Sequence, residues 1–293
     1  MNWIRNVVVN SNAWFDGNES ERRVRITMSL FAVLMAVRIG ATRFTPMARI
    51  PSSLFDPPWY LRALDRPPSI AVIVILQGIG VVCALGAAVA RRPRLMFTIA
   101  WLSYLLLAGL RASRGKIIHP DALPLLAMIP LLFAPNDASF RGHRRSGREG
   151  APIRTAIAVV ALSYFFTGYH KIAVSGLSWV FSDNMRWVLT SGVRANGVPA
   201  PSLGAWIANH ALFAQGAAAV TVLVELGAVA TLVWSKTRVP FAIGATLLHT
   251  GIWWFLNLDY SMWVATVWIV MVDWDSVLGR SRIVAVESPS VQT

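Results

Sequence analysis

A lysine stands near the end of the apolar stretch Tyr164-Phe165-Phe166-Thr167-Gly168-Tyr169-His170-Lys171-Ile172, with Gly176 and Trp179 shortly after it. A charge inside an apolar segment is costly unless it faces a cavity or a partner, so such a residue is read first as part of a site. Tyr164, Gly168 and Lys171 are spaced i, i+4, i+7 and share one face of a helix, while His170 is turned about 100° away from Lys171. Gly168 would let a second helix or a flat ring approach the backbone closely. A lysine held away from water can give up its proton near neutral pH, and a neutral amine is a base.

Four more ionisable residues fall within or at the ends of other apolar runs: Arg38, His119, Glu225 and His249. With a cytoplasmic N-terminus, Arg38 lies in the outer half of the first run, His119 opens the fourth and Lys171 closes the fifth at the outer face. Glu225 and His249 then lie near mid-depth. The expectation is that the five groups converge on one polar pocket open to the outer side. Each residue also has a structural reading. Arg38 can snorkel to the headgroups, His119 can cap a helix entrance before Pro120 and Asp121, Lys171 and Glu225 can form an ion pair that locks two spans, and His249 can be a satisfied core histidine.

The elements that must position these groups follow from composition. Hydrophobic residues make up 55% of the 293, charged residues only 14%, and there are 13 tryptophans. With a mean hydropathy of +0.54, this is the balance of a polytopic membrane protein rather than of a soluble domain. The net charge of +13 sits in short clusters between apolar runs. That is the pattern of topology signals and argues against nucleic-acid binding. The lone Cys83 excludes a disulfide framework and a cysteine metal site, and no metal is expected.

Eight runs approach the length of a span: 24–42, 69–90, 95–110, 120–135, 153–173, 210–234, 238–256 and 260–274. The predicted fold is all-α, a polytopic helical bundle of about eight spans. The fourth run holds Pro120, Pro124 and Pro130 and is expected to be a broken or re-entrant helix. The expected division is a cytoplasmic or interfacial segment over 1–23, a transmembrane domain over 24–274 and a cytoplasmic tail over 275–293. The first run is read as an uncleaved span rather than a signal peptide. Arginines and lysines favour the loops that this topology places inside, so both termini are expected in the cytoplasm of a multi-pass cell-membrane protein. Residues 2–15 and 179–193 read either as helices lying in the headgroup layer or as loops with membrane-belt tryptophans. The basic run Ser139–Gly150 reads as a cytoplasmic loop touching anionic lipid. The last ten residues read as a disordered tail.

The stretch Tyr164–Ile172 followed by Trp179 resembles the Tyr-Phe-x-x-Gly-x-x-Lys-Leu…Trp motif of the horizontally transferred transmembrane domain (HTTM) superfamily, which includes vitamin K-dependent gamma-glutamyl carboxylase. Further stretches agree in order: Ser53-Leu54-Phe55-Asp56, His119-Pro120-Asp121-Ala122-Leu123, Glu225-Leu226, Leu248-His249-Thr250-Gly251 and Asp259-Tyr260-Ser261-Met262. His170 departs from the family's paired lysines. The resemblance implies a membrane enzyme that uses a reduced quinone, menaquinol or vitamin K hydroquinone, with O2 at the extracytoplasmic side. The implied reaction is quinol epoxidation, coupled in the carboxylase to proton abstraction and capture of CO2. It also implies that Lys171 is the amine base and that His119 assists it. Glu225, His249, Arg38, Tyr164, Gly168 and His170 are the candidate pocket residues around them. The alternatives are a non-catalytic scaffold or maturation factor for a secreted peptide or lipid, working with a protein partner, and a transporter that uses the same charges as a proton relay. No internal repeat supports the transporter.

Overall fold

A computed structural model describes residues 19–115, 119–136, 145–195 and 203–279. Residues 2–15, the first half of the basic run 139–150 and the tail from Val284 lie outside the described residues. In hydrocarbon every backbone N–H and C=O must find a partner within its own segment, so apolar runs fold as helices. The helices are α1 (Glu21–Ala41), α2 (Ile70–Val89), α3 (Arg94–Ala112), α4 (His119–Met128), α5 (Gly147–Ser175), α6 (Ser178–Phe181), α7 (Asn184–Ala195), α8 (Leu203–Ala208), α9 (Ala211–Gly227), α10 (Ala230–Val233), α11 (Arg238–Leu256) and α12 (Ser261–Met271). The strands β1 (Glu19–Ser20) and β2 (Arg145–Ser146) form one short antiparallel pair. The chain is an all-α, multi-pass membrane protein.

Among the described residues six segments are long and apolar enough to cross a membrane: Glu21–Ala41, Ile70–Val89, Arg94–Ala112, Gly150–Ser175, Ala211–Val233 and Ser235–Leu256. Two of the eight expected runs are shorter. The fourth gives α4, with Pro124 inside it, continued by a 3-10 turn over Ile129–Phe133. Proline removes a backbone donor and crowds the preceding turn, which is why the helix breaks where its prolines stand. The eighth gives α12, whose 11 residues reach only about 16 Å at 1.5 Å per residue, against the ~30 Å of a hydrocarbon core. It is bracketed by two carboxylates, Asp259, which accepts from the Ser261 N–H at 2.8 Å, and Asp273.

The described chain divides into two compact units. The first holds residues up to Ala156 together with those from Val272, and the second spans Ile157–Met271. In the first unit α1, α2 and α3 pack on one another and α4 packs on α3. Packing between apolar helices in lipid depends on close approach rather than on the expulsion of water, which favours small residues at the contact. Gly80 is such a point. A Cβ there would lie 3.0 Å from both Ile39 Cδ1 and Ser103 Cβ, so α1 and α3 meet α2 where it has no side chain. Ser20 caps α1 by accepting from the Arg23 N–H at 3.1 Å.

Arg25, near the start of α1, is buried. It donates to the carbonyls of Ala87 and Ala88 at 2.9 Å each. It thereby satisfies the last turn of α2, where a helix leaves carbonyls without partners and the dipole favours a cation.

In the second unit α9 and α11 contact each other and both contact α7 and α8, while α12 packs on α11. Trp268 of α12 donates to Thr246 Oγ1 of α11 at 2.8 Å. The stretch 179–193 is largely helical. Val180 and Leu189 are buried while Phe181 and Trp187 stay exposed.

Candidate functional site

The second unit encloses a cavity of about 690 Å³, within the ~300–1,000 Å³ of small-molecule sites. Its walls come from α6, α7, α8, α9 and α11, and from the end of α5. Lys171 and Glu225 stand in a lining that is otherwise almost wholly apolar. Thr221 also lines it, but its hydroxyl donates to the Ala217 carbonyl at 2.8 Å. Leu212, Phe213, Val220 and Leu247 line the cavity and are each more than half exposed, so its mouth is open and apolar.

Lys171 Nζ and Glu225 Oε1 form an ion pair, with the lysine side chain 22% exposed and the glutamate 7%. The ammonium also sits over the Trp179 ring, 5.0 Å from its centroid. Glu225 and Trp179, both quoted for the resemblance, therefore hold Lys171. Gly168 explains how the pair is assembled. A Cβ added there would lie 2.8 Å from Glu225 Cβ and 3.2 Å from the Leu226 backbone nitrogen, so α5 approaches α9 at the one residue of that face without a side chain. Lys171, three residues further along α5, then meets the carboxylate. Glu225 Oε2 is buried and has no hydrogen-bond partner among the described residues. Buried polar atoms are nearly always paired, so this oxygen stands out among the described residues, although it has almost no surface open to the cavity.

Tyr164 and His249 are brought together separately. The tyrosine hydroxyl and His249 Nε2 are hydrogen-bonded at 2.6 Å. Tyr260 stacks on the imidazole at 5.0 Å and 21°, and Trp263 meets it edge-on. His249 Nδ1 is also buried without a partner among the described residues. His170 is exposed beside Lys171 in sequence.

The remaining candidates belong to the first unit. His119 is exposed at the start of α4. Arg38 does not end as a lone snorkelling cation: its Nε donates to Asp121 Oδ1 at 2.7 Å. Tyr104 donates to the same oxygen at 2.7 Å, and Arg111 Nη1 donates to Oδ2 at 3.0 Å. Asp121, whose side chain is 3% exposed, is therefore the centre of a buried cluster with two guanidiniums and a phenol. The residue reading passed over Asp121 as a group in its own right, although it lies inside the fourth apolar run. The rule that singles out Glu225, that an ionisable residue within a span needs a reason, singles it out equally.

The fold and this site define a helical membrane protein with a charge-paired apolar cavity. None of the protein-family models, characterised proteins or solved structures compared with the chain matches it.

Proposed function

We propose that the protein is a membrane enzyme that binds a reduced quinone in the cavity beside Lys171 and reacts it with O2, as the resemblance to the HTTM superfamily implies. The observation that carries this reading is the single ion pair, Lys171–Glu225, set in an apolar cavity with an apolar mouth. A hydroquinone has the matching chemistry, a flat apolar ring system with two hydroxyl groups that can meet the one ion pair of the lining. When bound, the quinol supplies four electrons to O2, so that one oxygen atom enters the epoxide and the other leaves as water.

The chain's own contribution is position and charge. Lys171 and Glu225 fix the hydroxyl end of the ligand. Leu212, Phe213, Leu247 and Phe255 hold its ring and tail and keep water from the pair, which strengthens every electrostatic contact inside. The test is oxygen uptake by purified protein in lipid nanodiscs with reduced menaquinone. Uptake is expected in the wild type and lost in the double variant Lys171→Ala, Glu225→Ala. No uptake in the wild type, or equal uptake in both, refutes the reading.

The cavity end of α5 is placed on the extracytoplasmic side. In a Cys83→Ala background, cysteine introduced at the exposed Ser175 is expected to react with an impermeant thiol reagent in intact cells. Labelling only after the membrane is opened reverses the orientation.

The apolar mouth also favours a second reading, a non-catalytic holder of a lipid or peptide precursor for a partner protein. That reading requires equal binding of oxidised and reduced menaquinone with no oxygen consumed.

A further inference from the structure

The cavity has a direction as well as a lining. We propose that it is entered sideways from the bilayer, through a cleft between α9 and α11 that Gly216 leaves open. Its occupant is a long-chain amphiphile with its polar end at Lys171 and its chain along the cleft. This rests on the quinol reading above and adds to it the entry route, the orientation and the need for a chain.

α9 and α11 touch at one level and part at another. A Cβ on Gly244 would lie 3.3 Å from Val224 Cγ2, so the two helices meet there. Glu225 follows Val224 on α9, which puts its ion pair with Lys171 at the closed end. Gly216 lies about 12 Å back along α9 at 1.5 Å per residue, and a Cβ there meets nothing within 4 Å. On α11, about 10 Å on from Gly244, a Cβ at Gly251 would meet only Phe255 of its own helix. All four of these wall positions, Gly216, Val224, Gly244 and Gly251, line the cavity, which fills the gap between the helices.

The edge of the cleft suits lipid. Leu212 and Val220 of α9 and Leu247 of α11 line it and are exposed, and Leu223 and Ile243 outside it are exposed too. Both helices lie in segments long and apolar enough to span a membrane. Apolar surface costs about 25 cal/mol per Å² in water, whereas lipid tails are as apolar as leucine. The walls offer a dissolved polar ligand little beyond the ion pair, since Thr221 Oγ1 is spent on the Ala217 carbonyl. From Leu212 to Glu225 the lining runs about 20 Å along α9, far longer than a two-ring head group, so a chain has its seat inside.

Gly216 is thus the position that sets what can pass. Open space surrounds it, so a large side chain placed there displaces no neighbour and stands in the cleft. Gly227 on the same helix also meets nothing within 4 Å but does not line the cavity, which makes it the matched control.

The test is photolabelling in nanodiscs by a long-chain alkyl diazirine dissolved in the lipid, with adducts mapped by mass spectrometry. In the wild type, adducts are expected at the outward Leu223 and also at Thr221 and Leu248 on the cavity wall. In Gly216→Trp the wall adducts should fall by about tenfold or more with Leu223 unchanged, while Gly227→Trp labels as the wild type does. Menaquinone should displace the wall adducts at a concentration about tenfold below that needed of menadione, the same head without the chain. The wild-type pattern and the displacement need no variant to fold.

Wall residues that stay unlabelled in the wild type, or are labelled equally in Gly216→Trp, overturn the cleft, and the quinol reading still stands if menaquinol drives oxygen uptake. Equal displacement by menaquinone and menadione overturns the need for a chain. Wall labelling that is lost in Gly216→Trp but resists menaquinone keeps the cleft and refutes the quinol as its occupant. A wild type with neither wall labelling nor uptake overturns both.

Discussion

Each unit buries one carboxylate among apolar helices, and the two are treated differently. Asp121 in the first unit has both oxygens engaged, by Arg38, Tyr104 and Arg111. Glu225 in the second lines a cavity, with one oxygen on Lys171 and the other buried without a partner among the described residues. A carboxylate saturated by donors from α1 and α3 ties those helices to α4 and has no acceptor capacity to offer a ligand. A half-satisfied carboxylate keeps that capacity. Buried charge alone therefore does not mark a site: the unfilled half of its hydrogen-bonding does.

The largest effect should come from removing the saturated carboxylate. Asp121→Ala leaves two guanidiniums unpaired inside a helical bundle, and breaking a buried pair from one side costs about 3–5 kcal/mol. Loss of folded protein, or a sharply lowered thermal midpoint in detergent, is expected, whereas Glu225→Gln should fold with a much smaller shift. If Asp121→Ala folds normally and Glu225→Gln does not, the comparison is inverted.

Next in size is the helix contact that builds the second site. Gly168→Ala puts a methyl 2.8 Å from Glu225 Cβ, an overpacking that costs about 1–3 kcal/mol and separates Lys171 from its partner. Gly216 also lines the cavity, but a Cβ there meets nothing within 4 Å. Gly216→Ala should therefore be neutral or stabilise by about 0.5–1 kcal/mol through helix propensity. Thermal midpoints and oxygen uptake of the two variants should diverge, and equal behaviour would remove the geometric basis given to the motif glycine. A smaller step on the other side of the comparison is Tyr104→Phe, which strips one of three donors from Asp121 and should lower stability by about 1 kcal/mol with oxygen uptake unchanged.

The helices were legible in the sequence because lipid permits few alternatives. Runs such as 69–90 and 238–256 reappear as α2 and α11 within a residue or two. The motif face was legible too. Tyr164, Gly168 and Lys171 share one side of α5, and two of the three meet residues already singled out, Glu225 and His249. What escaped was pairing across sequence distance. Periodicity places Arg38 on a helix but does not say that Asp121, 83 residues away, will meet it. Nor does it say that Arg25, near the start of α1, will reach the carbonyls that end α2, because a cation near a span end looks the same whether it faces headgroups or caps a neighbouring helix. The division into two units, whose boundary falls inside the uninterrupted helix α5, leaves no mark in composition.

The smallest effect concerns a third carboxylate, one that is neither deeply buried nor in a span. The Asp273 side chain is 47% exposed, with Arg23 Nε 3.9 Å away. It accepts from the Ser276 hydroxyl at 2.7 Å and from the Ser276 N–H at 3.3 Å. Burial alone would push its carboxyl up, but Arg23 and these hydrogen bonds more than offset that and hold it below its ordinary value of 3.8. A carboxyl lowered in the folded state adds stability above its unfolded value and loses it as pH falls through the folded one. At this exposure solvent screens the interaction, so Asp273→Asn should cost no more than about 0.5 kcal/mol at neutral pH. The difference in thermal midpoint between Asp273→Asn and the wild type should close as the pH is taken below the ordinary carboxyl value. A gap that persists at low pH would mean that Asp273 acts through packing rather than charge.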